Sequence, residues 1–87
     1  MKKVMLFYQT YCPFCVAAHK YLDELTAENP AYAQIEIEKI EENRERERAD
    51  KYDYWYVPTL YVDGEKLHEG ALTKQKLREV LDAALEG

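Results

Sequence analysis

Cysteine is scarce in this sequence: two residues among 87. Small secreted domains that depend on disulfides usually carry four or more, so this pair is no stapling framework. Glycine and proline are equally thin, at three each, which excludes a collagen-like or low-complexity chain. Long apolar runs are missing. The stretch Val4–Tyr8 falls short of the roughly 20 apolar residues of a transmembrane helix and of the roughly 7–15 of a signal-peptide core, and no small-residue cleavage site follows it. Positive charge is in deficit, since 12 basic against 17 acidic residues give a net charge of −5. A negative field opposes nucleic acid and anionic membranes as general partners. The expectation is a cytoplasmic monomer, one domain over residues 1–87, with a small core that folds without staples.

The elements follow from periodicity. Lys3–Tyr8 is apolar and β-prone, the pattern of a strand buried on both faces. A turn at Gln9–Tyr11 delivers Cys12, and Pro13 suits the first turn of a helix. Phe14, Ala18, Tyr21, Leu22 and Leu25 repeat at helical spacing as one apolar stripe, and Asn29-Pro30 stops the helix. Gln34–Ile40 alternates Ile35 and Ile37 with Glu36 and Glu38, a strand with one buried face. The charge run Glu41–Lys51 predicts a solvated helix braced by Glu42 with Arg46 and Glu47 with Lys51; a basic docking patch is opposed by the interleaved glutamates. Thr59–Val62 is a strand, Asp63-Gly64 a hairpin turn, and Glu65–Glu69 the return strand. The last helix spans Lys74–Glu86, with Leu77, Val80, Leu81, Ala84 and Leu85 on one face. Thr73 caps it, with Leu72 and Leu77 as its staple. The order β-α-β-α-β-β-α predicts a mixed α/β sheet: a parallel first pair with a right-handed crossover, then a hairpin.

The chemistry sits at Cys12-Pro13-Phe14-Cys15. A sulfur at a helix N-terminus meets unpaired N–H groups that favour a thiolate, the nucleophile of disulfide exchange. Cys12 precedes the helix and is expected to be exposed, as the attacking thiol. Cys15 lies one turn in and is expected to resolve the mixed disulfide. Cys12, Cys15 and His19 make only three ligands where a structural zinc takes about four, and His68 is not placed to complete them. No metal or other cofactor is expected.

Tyr11-Cys12-Pro13-Phe14-Cys15 resembles the Cys-Pro-Tyr-Cys site of dithiol glutaredoxins, with Phe for Tyr. Val57-Pro58-Thr59, just before a strand, resembles the Val-Pro element shared by glutaredoxins and thioredoxins. The Trp-Cys-Gly-Pro-Cys site of thioredoxins is absent. The resemblance spans nearly the whole chain and implies a thioredoxin-like fold, a four-stranded mixed sheet with three flanking helices. It implies a thiol–disulfide oxidoreductase acting on protein or small-molecule disulfides, re-reduced by glutathione or a flavoprotein disulfide reductase. It further implies a cis Pro58 packed near the sulfurs, a Val57 backbone that pairs with substrate, and substrate contacts from Tyr11, Pro13, Phe14, Gly70 and Thr73.

Three positions depart from the glutathione site of the family. Gln9 stands where many members carry Lys, Gly70-Ala71 replaces Gly-Gly, and Thr73 replaces an acidic residue or Ser. Weak use of glutathione is the expectation; the cations that would compensate are Lys74, one residue on from Thr73, and Lys20 or Lys51, reaching in from the flanking helices. The aromatic cluster Tyr52, Tyr54, Trp55 and Tyr56 reads either as packing at the sheet edge or as a surface for a protein client. A redox-inert binding or iron–sulfur cluster-carrier domain on the same fold is the alternative function; Pro13, where cluster-binding relatives have Gly, opposes it.

Overall fold

Three apolar strands in this chain bury their side chains against helices and loops, and a fourth, more polar strand closes the sheet as a hairpin. The computed structural model describes residues 1–86; Gly87, the last residue of the expected domain, lies outside them. The order is β1 (Val4–Tyr8), α1 (Pro13–Glu28), α2 (Pro30–Ala33), β2 (Ile37–Glu41), α3 (Arg46–Ala49), β3 (Thr59–Val62), β4 (Glu65–Glu69) and α4 (Lys74–Leu85). The sheet runs β2-β1-β3-β4. β1 pairs parallel with β2 and antiparallel with β3, and β3–β4 is an antiparallel hairpin. Asp63 and Gly64 turn it with φ of 49° and 83°, the two positive values that a tight hairpin of the strands' own twist requires.

β1 is buried on both faces, as its continuous apolar run predicts. Val4 and Leu6 face a cluster with Leu60 and Val62 of the sheet, Leu22 and Leu25 of α1, Tyr32 of α2, and Leu77, Val80, Leu81 and Ala84 of α4. Phe7 points the other way, to Ile40, Ala49 and Tyr61, with Tyr52, Tyr54 and Val57 packed around them. Tyr52, Tyr54 and Tyr61 ring Phe7 with centroids 4.9, 5.0 and 5.8 Å away. The sheet is thus covered by helices on one face and by α3 with an aromatic loop on the other.

The middle of the chain differs from its sequence reading. β2 begins at Ile37 rather than Gln34 and includes Glu41. The predicted helix over Glu41–Lys51 shrinks to the single turn of α3. Glu42 turns inward to Gln9 and Tyr54 instead of bracing Arg46, which lies 3.9 Å from Asp50. Asn29 not only ends α1 but caps a further one-turn helix, α2: its Oδ1 accepts from Ala31 N at 3.0 Å, with Pro30 in the first position. The helices therefore number four among the described residues, not three. No helix among the described residues is long and apolar enough to cross a membrane.

Candidate active site

The turn after β1 ends in Cys12, which occupies the N-cap of α1 with extended backbone, followed by Pro13 in the first turn. This location suits both residues: the cap needs non-helical φ and ψ and a side-chain acceptor, and proline lacks only an N–H that the helix would not use. Cys12 Sγ accepts from Cys15 N at 3.3 Å, so negative charge on that sulfur meets a donor at the positive end of a 16-residue helix. Cys12 is partly exposed and Cys15 buried. Burial, then the hydrogen bond with Cys12, pushes the Cys15 thiol up to about 12; the Gln9 backbone N–H opposes this and the Glu42 charge adds to it. The exposed-then-buried order predicted for the pair is the order found.

The Val57–Pro58 bond is cis, as expected. Val57 O lies 3.9 Å from Cys12 Sγ, which brings the second sequence motif to the first. Pro58 is buried, and its carbonyl accepts from Gly70 N at 2.8 Å. Gly70 has a φ of 92°, a left-handed value that explains glycine there. Tyr11 is 94% exposed, Trp55 87%, Tyr56 71% and Phe14 58%. Phe14 thus leaves the apolar stripe of α1 and joins a rim beside Cys12. The aromatic cluster divides between its two readings: Tyr52 and Tyr54 pack on Phe7, while Trp55 and Tyr56 stand in solvent.

Three of the side chains weighed for glutathione in the sequence, Gln9, Lys74 and Thr73, bond within the protein. Gln9 donates its side-chain amide to Glu42. Lys74 is held by Glu28 at 2.5 Å and Glu24 at 3.3 Å. The Thr73 hydroxyl accepts from Lys76 N at 3.0 Å as the cap of α4. His19 Nδ1 lies 2.8 Å from Cys15 O, and its ring packs edge-on against Tyr8. Among the described residues no group of three or more His, Cys, Asp or Glu side chains is arranged to hold a metal ion.

Three glutamates shape the site without having been singled out in the sequence. Glu41 accepts from Thr10 N at 3.0 Å and Thr10 Oγ1 at 2.8 Å, and from Asn43 N at 2.6 Å; these bonds, the Thr10 hydroxyl foremost, hold its carboxyl down to about 2. Glu42 accepts from Gln9 and from Tyr54 Oη at 2.8 Å. Glu69 reaches the Trp55–Tyr56 backbone. Nothing in an acidic, charge-dense stretch distinguishes a carboxylate that binds backbone N–H groups from one in water. The sequence reading ended the strand at Ile40 and put Glu41 first in the charge run, whereas β2 includes it.

The family model described as Glutaredoxin matches residues 4–67. The thioredoxin of Methanocaldococcus jannaschii is 32% identical over 83 residues, covering 95% of each chain. A probable thioredoxin of Methanothermobacter thermautotrophicus is 29% identical over the same span and coverage. Among solved structures, one described as that of a malarial protein superposes with a TM-score of 0.76 at 17% identity, covering 98% of both chains. Mitochondrial thioredoxin 3 of Saccharomyces cerevisiae in its oxidized form gives 0.73 at 23% identity, covering 94% of this chain and 77% of that one. The fold is thioredoxin-like α/β.

Proposed function

The chain belongs to the glutaredoxin family, and from that premise we propose that it is a dithiol oxidoreductase that reduces protein disulfides through Cys12 and Cys15. The observation that carries this reading is the pairing of an open Cys12 Sγ, at the N-terminus of α1 and 3.9 Å from Val57 O, with a buried Cys15 one turn behind it. Cys12 thiolate attacks one client sulfur; a Cys12–client disulfide forms, and the second client sulfur leaves as a thiolate and takes a proton. Cys15 then loses its proton and attacks Cys12 Sγ, forming the Cys12–Cys15 disulfide and releasing the first client sulfur. The client gains two electrons and two protons, which a dithiol donor later returns to the protein. Tyr11, Pro13, Phe14, Val57, Pro58 and Gly70 line the client, with Thr73 at the far edge. Exposed aromatics are favoured at protein interfaces, and the thioredoxin-named relatives support a protein client over a redox-inert or cluster-carrying role.

The donor on this reading is a flavoprotein disulfide reductase rather than glutathione, and the chain works as a monomer of one domain, 1–87, in the cytoplasm. Glutathione brings two carboxylates and one ammonium, which require matched charges. The side chains of Gln9, Thr73 and Lys74 already bond within the protein. Losing one charge-assisted hydrogen bond costs roughly 1.5–3 kcal/mol. The test is disulfide turnover measured separately with glutathione plus glutathione reductase and with thioredoxin reductase. Robust turnover with the second and little with the first is expected; the reverse result overturns the choice of donor, and no turnover with either overturns the oxidoreductase reading.

A further inference from the structure

The segment between α3 and β3 has no regular structure, yet it sets Val57 O 3.9 Å from Cys12 Sγ and exposes Trp55 and Tyr56 just before it. Its backbone groups are satisfied by side chains of the β3–β4 hairpin. Asp53 O accepts from Tyr61 Oη at 2.7 Å and from Lys66 Nζ at 3.1 Å. Thr59 Oγ1 donates to Tyr56 O. Trp55 N and Tyr56 N both donate to the same oxygen, Glu69 Oε2, at 2.5 and 3.0 Å. The other oxygen, Oε1, takes Lys66 Nζ at 2.7 Å.

That last pair is one a regular strand would forbid. Residues three apart on a strand point to opposite faces. Here the β3–β4 register slips: Leu60 faces His68 but Tyr61 faces Lys66, so Leu67 is an extra residue. A bulge of this kind re-aims side chains, and it brings Lys66 and Glu69 to one side, under the loop. We propose that Glu69 is a positioning residue for the client: seated by the β4 bulge and Lys66, it fixes the Trp55–Tyr56 backbone so that the loop offers its aromatic face and the Val57 backbone to a protein disulfide over Cys12. The inference rests on the protein-client reading above and adds the residue that pre-organises the client surface. The fixed loop spares the complex the entropy of ordering it on binding.

The experiment compares wild type, Glu69→Ala and Glu69→Gln on insulin, with dithiothreitol as electron source, and on the small disulfide dithiobis(nitrobenzoate) in single turnover, with pre-reduced protein freed of dithiothreitol. Glu69→Ala is expected to raise KM for insulin about tenfold with kcat nearly retained, because the lost interaction is with the ordering of the bound client and not with the sulfurs. Glu69→Gln, whose amide oxygen still accepts from both N–H groups while its amide nitrogen, a donor, turns from the Lys66 ammonium to water, is expected to restore most of the loss. Turnover of the small disulfide is expected to change less than about twofold, since it needs little of the loop surface. Trp55 is the only tryptophan, so its fluorescence anisotropy reports the loop directly and is expected to fall in Glu69→Ala alone. Equal losses on both substrates, or an unchanged KM for insulin with unchanged anisotropy, overturn the proposal. If Glu69→Ala does not fold, Lys66→Ala, which removes the bond that seats Glu69 Oε1 and one of the two donors to Asp53 O, gives the same comparison with the same two outcomes. A wild type that fails on insulin altogether is a failure of the protein-client reading, and the anisotropy of Glu69→Ala still decides the clamp.

Discussion

Cys15 and Cys12 differ by position alone, and the difference sets their order of reaction. Burial keeps Cys15 a thiol, raised to about 12, while Cys12 is partly exposed. Iodoacetamide at neutral pH is expected to modify Cys12 more than about tenfold faster than Cys15, since the thiolate is the reactive form and access is required. Equal rates by mass spectrometry would contradict the order. Cys12→Ser is expected to abolish disulfide reduction, and Cys15→Ser to accumulate a mixed disulfide with the client, visible as an added mass. The resolving step carries its own pH signature. Below its ionisation each unit of pH multiplies the Cys15 thiolate fraction about tenfold, and burial, the largest cause of the shift, persists when Cys12 is in a mixed disulfide. Release of thionitrobenzoate from Cys12 by Cys15 is therefore expected to accelerate about tenfold per unit between about pH 6 and pH 8. A rate flat with pH would mean that Cys15 is already an anion there. The places of these two cysteines were legible from their residue type and spacing before a helix, and that of Pro58 from the family resemblance. Glu42 and Glu69 were not, since their roles depend on which backbone and side-chain groups the fold turns toward them.

At the scale of elements, legibility followed how local the determining interaction is. β3, β4 and their Asp63-Gly64 turn lie where the sequence places them, because alternation and turn chemistry act over a few residues. α4 likewise begins at Lys74 behind its Thr73 cap. Thr73→Ala is expected to cost about 1 kcal/mol, read as a lower urea midpoint with an unchanged slope; an unchanged midpoint would mean that the hydroxyl bond to Lys76 N contributes nothing. The stretch from Gln34 to Lys51 was the least legible. Its charges predict a helix by pairs four apart, worth only about 0.2–0.5 kcal/mol each. Against them stand Glu41, bonded to four backbone or hydroxyl donors, and Glu42, tied to Gln9 and Tyr54. Charged hydrogen bonds of roughly 1.5–3 kcal/mol outweigh surface pairs, so the strand extends to Glu41 and the helix is reduced to one turn. α2 was hidden for a different reason: Asn29-Pro30 is both a stop and a start, and only the fold shows that the chain uses it twice.

At the scale of the whole molecule, the glutamates that the sequence presents as surface charge act as connectors. Glu38 joins β2 to Lys3 at 2.8 Å and to Arg48 of α3 at 2.6 Å. Glu41 ties the end of β2 to the turn before Cys12, and Glu69 ties β4 to the loop before Pro58. All three carboxyls are held at about 2 in the fold, against 4.5 ordinarily: Glu38 chiefly by Arg48, Glu41 by the Thr10 hydroxyl, Glu69 by Lys66. Between those values the unfolded chain binds protons that the folded chain refuses, so the unfolded state gains as pH falls. The stability these groups supply is whole above about pH 4.5 and is lost progressively down to about pH 2. Thermal midpoints are expected to decline through that window. Glu41→Gln is expected to be less stable than wild type at neutral pH, because one amide oxygen cannot accept from donors that two carboxylate oxygens share. Its midpoint is expected to fall less steeply with acid, with the gap to wild type closing toward about pH 2, where the native carboxyl too becomes neutral. A gap that stays constant down to pH 2 would show that Glu41 supports the fold through its shape and packing, with its charge playing no part.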